Sequence, residues 1–106
     1  MTAPVQTKAE VLTRLKAACA PMRALGVARL ALFGSFVRDA ATPTSDVDLL
    51  VTFEPGALTG LRSYFAVVDL LETTLGRRVE LLSPTGLSPF IGPHILQEAQ
   101  DVPLTA

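Results

Sequence analysis

The sequence predicts one α/β domain in which a small mixed sheet is flanked by helices. Three observations support this fold class. Apolar runs of strand length alternate along the chain with segments whose apolar residues recur every three or four positions, as they do on one face of a helix. Glycine or proline stands at most of the boundaries between these segments. Hydrophobic residues make up 49% of the 106 residues, with a mean hydropathy of +0.42, so the chain can fill one core.

The first predicted element is a helix near the N-terminus. Thr7 and Glu10 have the spacing of a capping box, in which each side chain accepts a hydrogen bond from the backbone amide of the other residue. Apolar residues then recur at helical spacing, at Val11, Leu12, Leu15, Ala18 and Cys19. Pro21 favours a kink because proline has no backbone donor, and Gly26 favours the end of the helix.

Three apolar runs predict the strands of the sheet. The first covers residues 28–33 (ARLALF) and stops at a glycine, and the third covers residues 78–82 (RVELL). The second and strongest is Val47–Phe53. A short helix is predicted for residues 35–39, and a loop for residues 40–45, between the first and second strands.

Two further helices are predicted toward the C-terminus. Residues 61–75 have apolar side chains at helical spacing, and Gly76 ends the segment. Residues 87–99 have the same spacing but are interrupted by Pro89 and Pro93, so we expect a short turn and then a helix that begins near Pro93. The predicted order is therefore helix, strand, helix, strand, helix, strand, helix, in a single domain over residues 1–106.

Composition and charge exclude several classes of function. The formal net charge is −1, from nine basic and ten acidic residues, which is not the basic character of a protein that holds long nucleic acid. Cys19 is the single cysteine, so an internal disulfide and a cysteine-rich zinc site are excluded, and we expect it to fill the core. No apolar run has the length of a signal peptide or the ~20 residues of a membrane span, so the sequence predicts a cytoplasmic protein that contacts no membrane.

Two carboxylates open the strongest predicted strand. Asp46 and Asp48 are two residues apart, so both side chains project from the same side of an extended strand. The apolar Leu49, Leu50 and Val51 follow, which predicts a strand buried on both faces. Two adjacent carboxylates there repel each other unless a cation lies between them. Because Mg²⁺ binds a few carboxylates together with phosphate oxygens and water, the pair predicts a magnesium site.

A glycine and a serine follow the first predicted strand. Gly34 lets the backbone approach an anion closely, and the amides of a helix start together with the Ser35 hydroxyl can hold phosphate oxygens. A Gly-Ser pair alone is more often a turn with a capping serine, and many Asp-x-Asp pairs are solvated loop ends. The combination is specific: a strand, Gly-Ser, Arg38, a loop, and then Ser45 directly before the two aspartates.

These residues resemble the signature of the minimal nucleotidyltransferase (MNT) family, within the DNA polymerase β-like nucleotidyltransferase superfamily. The family pattern is Gly-Ser, an arginine a few residues on, and Ser-Asp-x-Asp-Leu-Leu-Val. This chain supplies Gly34, Ser35, Arg38, Ser45, Asp46, Asp48, Leu49, Leu50 and Val51. Residues 76–82 (GRRVELL) resemble the family's third-carboxylate strand, and residues 95–99 (ILQEA) resemble its closing helix. The resemblance therefore extends over nearly all of the chain and implies the polymerase β-like fold.

The resemblance also implies an activity and a set of site residues. Asp46, Asp48 and Glu80 would be catalytic and would bind two Mg²⁺ ions, with Glu80 either a metal ligand or the acceptor of the proton of the attacking hydroxyl. Gly34, Ser35, Arg38 and Ser45 would bind the nucleotide, with the β- and γ-phosphates at Gly34 and Ser35. The implied reaction transfers a nucleoside monophosphate, AMP from ATP, and releases pyrophosphate. An ion pair with Asp39 or Asp46 is the alternative role for Arg38.

The family further implies a partner. Small MNT proteins commonly pair with HEPN-domain ribonucleases as antitoxin and toxin, and the MNT protein can modify a tyrosine of its HEPN partner. By analogy we expect the same role here. One alternative is an antitoxin that neutralises its partner by binding alone. Transfer to a small molecule such as an aminoglycoside is disfavoured, because we expect no second domain to form that pocket.

Two residues depart from the family pattern. Glu80 stands where the family more often has aspartate, and its extra methylene displaces the carboxylate by roughly one bond length, which can slow catalysis. Asp39 follows Arg38 where relatives usually have glycine, and its charge could repel a triphosphate.

The remaining candidates favour structural roles. His94, the single histidine, is expected at the surface or as a helix cap. Arg77 and Arg78 are expected on a solvated strand edge, with contact to a nucleotide or partner as the alternative. Tyr64 has helical spacing with the apolar residues around it and is expected in the core or at an interface.

Overall fold

The computed structural model describes residues 3–55, 61–83 and 92–104. Within these ranges the chain forms four helices and four strands. The helices are α1 (Lys8–Ala17), α2 (Cys19–Ala24), α3 (Leu61–Leu75) and α4 (Gly92–Glu98). The strands are β1 (Val27–Phe33), β2 (Val47–Phe53), β3 (Val79–Leu82) and β4 (Gln100–Val102), and a short 3-10 turn, Gly34–Phe36, follows β1.

The described strands form one mixed sheet in the order β3-β2-β1-β4. Strand β2 lies between β1, to which it is antiparallel, and β3, to which it is parallel. Strand β4 pairs with the other edge of β1 in antiparallel orientation. The predicted class, a small mixed sheet flanked by helices, is confirmed, and β2 has the predicted bounds.

The core lies between the helices and one face of the sheet. Its buried side chains come from α1, α2 and α3 (Val11, Leu15, Cys19, Met22, Val67, Leu71 and Leu75) and from the strands (Leu30, Leu32, Val47, Leu49, Val51 and Leu81). Cys19 fills the core as predicted. On the opposite face of β2, Leu50 is only 4% exposed, as the apolar run predicts, but Asp48 is half-buried and Thr52 exposed, so burial on both faces is limited to the middle of the strand.

Helix α1 begins at the predicted cap, with one difference in the hydrogen bonds. The Glu10 amide donates to the Thr7 hydroxyl at 3.2 Å, but the Glu10 carboxylate accepts from the amide of Gln6 at 3.3 Å rather than from that of Thr7. The kink predicted at Pro21 is a break between α1 and α2 at Ala18. A break is expected in the turn before a proline, because the ring nitrogen cannot donate to the preceding turn.

The fourth strand corrects the predicted order of elements, which ended on a helix. In β4, Gln100 and Asp101 are exposed and only Val102 is buried. A strand of three residues at the edge of a sheet needs no apolar run, so it carries no periodic signal in the sequence. Its effect on the site is large, because it holds the end of α4 beside the end of β1.

The other helix boundaries agree closely with the prediction. Helix α3 ends at Leu75, directly before Gly76, and α4 begins at Gly92, one residue before Pro93. The turn predicted around Pro89 lies outside the described residues. Among the helices described, none is both long enough and apolar enough to cross a membrane.

Candidate active site

Asp48 occupies the centre of the candidate site, in the strand between β1 and β3. It lies opposite Phe33 of β1 and opposite Glu80 of β3. Residues directly opposite each other in a sheet project from the same face, so the carboxyl groups of Asp48 and Glu80 meet, and they are hydrogen-bonded. Asp46 is exposed, one residue before β2, and its charge also acts on Asp48. The structure thus brings Asp48 and Glu80 into direct contact, and Asp46 lies near enough for its charge to act on Asp48.

The surroundings of Asp48 raise its pKa from 3.8 to about 6. Burial makes the largest contribution, because a half-buried carboxylate is poorly solvated. The hydrogen bond to Glu80, which the protonated Asp48 carboxyl donates, and the negative charges of Glu80 and Asp46 act in the same direction, whereas the charge of Arg38 opposes them. The site therefore holds more negative charge than its own residues can neutralise.

This excess of negative charge fits a divalent cation. Within residues 3–55, 61–83 and 92–104, no group of three or more His, Cys, Asp or Glu side chains is arranged to hold a metal ion. Mg²⁺ does not need such a set, since it is usually bound by one or two carboxylates, with waters and substrate phosphates completing its shell. The Asp48–Glu80 pair matches that requirement, provided that a phosphate-bearing substrate supplies the remaining ligands.

Gly34 brings the backbone into direct contact with Asp48. It has a φ of +81°, a left-handed conformation that favours glycine. A Cβ at this position would lie 2.1 Å from Oδ2 of Asp48, so the contact leaves no room for a side chain. Ser35 follows in the 3-10 turn and is half-buried. The sequence predicts a short helix here, and the structure shows a tighter turn that stops within a few residues.

Arg38 pairs with a residue that the sequence did not single out. Its Nη1 lies 2.5 Å from Oε1 of Glu98, and neither Asp39 nor Asp46 is its partner in this ion pair. The other carboxylate oxygen of Glu98 accepts a hydrogen bond from the Gly34 amide at 3.1 Å. Glu98 was part of the resemblance to a closing helix, and the only signal it offered was a single acid at the end of a mainly apolar helix.

Ser45 orders the loop that leads to Asp46. Its hydroxyl accepts a hydrogen bond from the Thr42 amide at 2.8 Å, and its own amide donates to the Thr42 carbonyl at 3.0 Å. The described geometry therefore gives Ser45 a role within the loop, and its predicted contact with a nucleotide remains a prediction.

Arg77 corrects an expectation, because it does not lie on a solvated strand edge. Its Nη1 donates to the carbonyls of Thr42 and Ser45, both at 2.9 Å, and its Nε donates to the Val5 carbonyl at 2.5 Å. The guanidinium also lies 5.2 Å from the centre of the Phe36 ring. Arg77 thus ties the N-terminal segment, the 3-10 turn and the loop before Asp46 together. No local pattern could reveal this, because its acceptors are backbone atoms distant in the sequence.

Replacing Arg77 with methionine is expected to lower the free energy of unfolding by about 2–3 kcal/mol, because three carbonyls lose a charged donor. Arg78→Met, at the exposed neighbouring position, is the control and should change it by less than about 0.5 kcal/mol. Urea denaturation measures both. Equal losses in the two variants would contradict the role assigned to Arg77.

Asp39 has a backbone conformation that favours glycine. Its φ is +57°, in the left-handed region, where a side chain costs roughly 1–2 kcal/mol, somewhat less for aspartate. We expect Asp39→Gly to raise the free energy of unfolding by up to about 1 kcal/mol, and Asp39→Ala to lower it. The alanine variant removes the same charge and keeps the Cβ, so thermal unfolding of the two separates backbone strain from electrostatics. A higher free energy of unfolding in both variants would mean that the charge of Asp39, and not its backbone conformation, is destabilising.

The remaining candidates lie in structural roles. Tyr64 is half-buried, and its hydroxyl donates to the Leu81 carbonyl at 2.8 Å, so it packs against the core and holds β3, as expected. His94 is exposed on α4, which confirms the surface position predicted for it.

Comparison with known proteins identifies the relatives of this chain. The model of the nucleotidyltransferase domain family matches residues 12–102. The chain is 38% identical over 73 residues to the protein adenylyltransferase MntA of Thermococcus cleftensis, and the match covers 69% of this chain and 72% of the relative.

Solved structures show the same fold. A minimal nucleotidyltransferase structure has a TM-score of 0.66 and 35% identity, over 84% of this chain and 93% of that one. The complex of a tri-AMPylated Shewanella oneidensis HEPN toxin with its MNT antitoxin contains a chain with a TM-score of 0.60 and 14% identity, over 89% of this chain and 73% of that one. At that identity the second match shows a common fold only.

Proposed function

The chain belongs to the nucleotidyltransferase domain family, and we propose that it transfers AMP from ATP to a hydroxyl group of a partner protein. One observation carries the proposal: Gly34, Asp48 and Glu80, which are distant in sequence, meet at the same end of three neighbouring strands. This constellation places a close backbone turn beside paired carboxylates, as phosphoryl chemistry with a divalent cation requires. The name of the T. cleftensis relative supports a protein as the acceptor.

In the proposed reaction, the oxygen of the acceptor hydroxyl forms a bond to the α-phosphorus of ATP. The bond from that phosphorus to the bridging oxygen of pyrophosphate breaks, and pyrophosphate leaves with the electron pair. Gly34 and Ser35 hold the β- and γ-phosphates at the turn after β1. Glu80 is exposed beside Asp48, so its carboxylate can accept the proton of the hydroxyl or serve as a metal ligand.

Asp46, Asp48 and Glu80 are the residues that would bind Mg²⁺, two ions by analogy with the family. Bound there, the metal would neutralise charge on the phosphates and on the leaving oxygen. The raised pKa of Asp48 supports this assignment, because burial first and the neighbouring carboxylates second disfavour its charge, and a divalent cation would offset both.

We propose a HEPN-domain toxin as the partner, with this chain as its antitoxin. The family resemblance supports this role, and so does the common fold with the MNT antitoxin of the S. oneidensis complex. The HEPN toxin in that complex is AMPylated, and AMP on a toxin is the product that the proposed reaction would form.

The test is incubation of the chain with Mg²⁺, ATP labelled at the α-phosphate, and a HEPN-domain protein as the proposed partner. We expect label on the HEPN protein, loss of its ribonuclease activity, and no label when Asp46 and Asp48 are both replaced by alanine. Label from ATP carrying the isotope at the γ-phosphate should not appear on the partner, which separates AMP transfer from phosphorylation.

Two results would contradict the proposal. Neutralisation without label, unchanged in the Asp46→Ala, Asp48→Ala variant, would assign the chain to the antitoxins that act by binding alone. Label on the partner only from γ-labelled ATP would assign a phosphotransferase instead.

A further inference from the structure

The carboxylate of Glu98 contacts both ends of the five-residue segment from Gly34 to Arg38, which begins with the 3-10 turn after β1. One oxygen accepts from the Gly34 amide at 3.1 Å, and the other pairs with the Arg38 guanidinium at 2.5 Å. Ser35, the residue predicted to bind phosphate through its amide and hydroxyl, lies between these two contacts in the chain. A single side chain therefore holds the segment that would receive the nucleotide.

The position of Glu98 follows from the pairing of β1 with β4. Leu32 lies opposite Gln100 in this antiparallel pair, so the residue after β1, Gly34, and the last residue of α4, Glu98, are brought close together. The Glu98 carboxylate accepts a hydrogen bond from the Gly34 amide, just beyond the last backbone pair between β1 and β4. Its side chain is 23% exposed, so its hydrogen bond with the Gly34 amide is partly buried, whereas the Arg38 side chain is 59% exposed and the ion pair is open to screening by salt.

Gly34 is consequently held from two sides. The Asp48 carboxylate touches its Cα on the β2 side, where an added Cβ would lie 2.1 Å from Oδ2, and Glu98 binds its amide on the β4 side. Arg38, held by Glu98, also stays close enough to Asp48 to lower the pKa of that residue, against the larger effects that raise it. The carboxylate thus fixes both the position of the turn and the location of a positive charge beside the catalytic aspartate.

We infer that Glu98 is a positioning residue, which holds the turn from Gly34 to Arg38 in the conformation that receives the phosphates of the nucleotide. This inference rests on the proposed function for the identity of the ligand. The competing interpretation is that Glu98 imitates a phosphate and must leave when ATP binds. The two interpretations predict opposite signs for the effect of removing the carboxylate.

The test compares the KM for ATP and the kcat of AMP transfer in Glu98→Ala, Glu98→Gln and wild type. We expect the alanine variant to raise the KM about tenfold with kcat changed less than about threefold, since a misplaced turn weakens phosphate contacts. Glutamine retains a neutral acceptor for the Gly34 amide and should raise the KM only about threefold. Loss of folded protein would lower kcat and leave the KM unchanged, so it cannot produce this pattern.

Asp101→Asn is the matched control on β4. Asp101 pairs with Arg29 at the surface, with both side chains about 70% exposed, so its removal should leave the KM within about twofold of wild type. Hydrogen exchange of the Gly34 amide provides a readout that needs no nucleotide, and we expect faster exchange in Glu98→Ala.

The outcomes separate the inference from the proposed function. A KM in Glu98→Ala that equals or falls below that of wild type would overturn the inference while AMP transfer itself stands. Wild-type protein that transfers no AMP would refute the proposed function, and unchanged exchange of the Gly34 amide in Glu98→Ala would overturn the positioning role independently.

Discussion

Replacing Asp48 with asparagine is expected to reduce the kcat/KM of AMP transfer by at least about 1,000-fold, which is about 4 kcal/mol of transition-state stabilisation. Asparagine has nearly the same shape but no charge. It cannot neutralise a divalent cation, and Asp48 is the acidic residue in contact with both Glu80 and the turn at Gly34. The measurement is transfer of α-labelled AMP to the partner protein. Asp69→Asn, at an exposed position on α3, is the control and should retain full activity.

The same substitution should not destabilise the metal-free protein. The pKa of Asp48 is raised in the folded state to about 6, so the charged form is disfavoured by folding. The contribution of this group to stability is therefore greatest below about pH 4 and falls as the pH rises through 6. Asparagine does not ionise, so it avoids this fall in stability. In the absence of metal, the free energy of unfolding should therefore fall more in the wild type than in Asp48→Asn between pH 4 and pH 7. A variant that unfolds more easily at pH 7 would show that the carboxylate is structural.

Replacing Gly34 with alanine is expected to abolish AMP transfer and to lower the free energy of unfolding by about 2 kcal/mol or more. The φ of +81° costs a residue with a Cβ about 1–2 kcal/mol, and the methyl group would lie 2.1 Å from Oδ2 of Asp48. Because Cγ and Cβ of Asp48 would also lie only 2.9 and 3.1 Å from the methyl group, rotating the carboxylate does not relieve the clash, and either the turn or the aspartate must move. Urea denaturation and the transfer of labelled AMP measure the two effects.

Two further variants separate the clash from the backbone penalty. Gly76→Ala, with a φ of +68°, carries the penalty alone and should lose about 1–2 kcal/mol while activity is retained. The double variant Gly34→Ala, Asp48→Ala removes the oxygen that the methyl group meets, so its stability loss should be smaller than the sum of the single losses. Additive losses of stability would mean that the clash with Asp48 does not contribute to the destabilisation caused by Gly34→Ala.

Much of the fold could be predicted from local patterns in the sequence. Strand Val47–Phe53 has the predicted bounds because five of its seven residues are apolar and a buried strand needs such a run. Helix α3 ends directly before Gly76 as predicted. The predicted family, the minimal nucleotidyltransferases, is confirmed by the match over residues 12–102 and by a solved relative at 35% identity.

The missed features share a physical cause. Strand β4 has two exposed polar residues out of three, so hydrogen bonds to β1 define it rather than a pattern of apolar residues. Arg77 reaches carbonyls more than 30 residues away, at Val5, Thr42 and Ser45. Such contacts form only when the folded sheet places distant segments side by side, so no local sequence pattern predicts them.

The sequence by itself determined the residue types of the site, because paired aspartates before a buried strand and a Gly-Ser turn after another are local requirements of the chemistry. Only the tertiary structure decided how these parts meet. Strand register sets Asp48 opposite Glu80, an edge strand brings Glu98 to the turn at Gly34, and the close packing of Gly34 on Asp48 leaves no room for a side chain there. Register and packing are set by the whole core, so they become visible only when the distant segments are assembled.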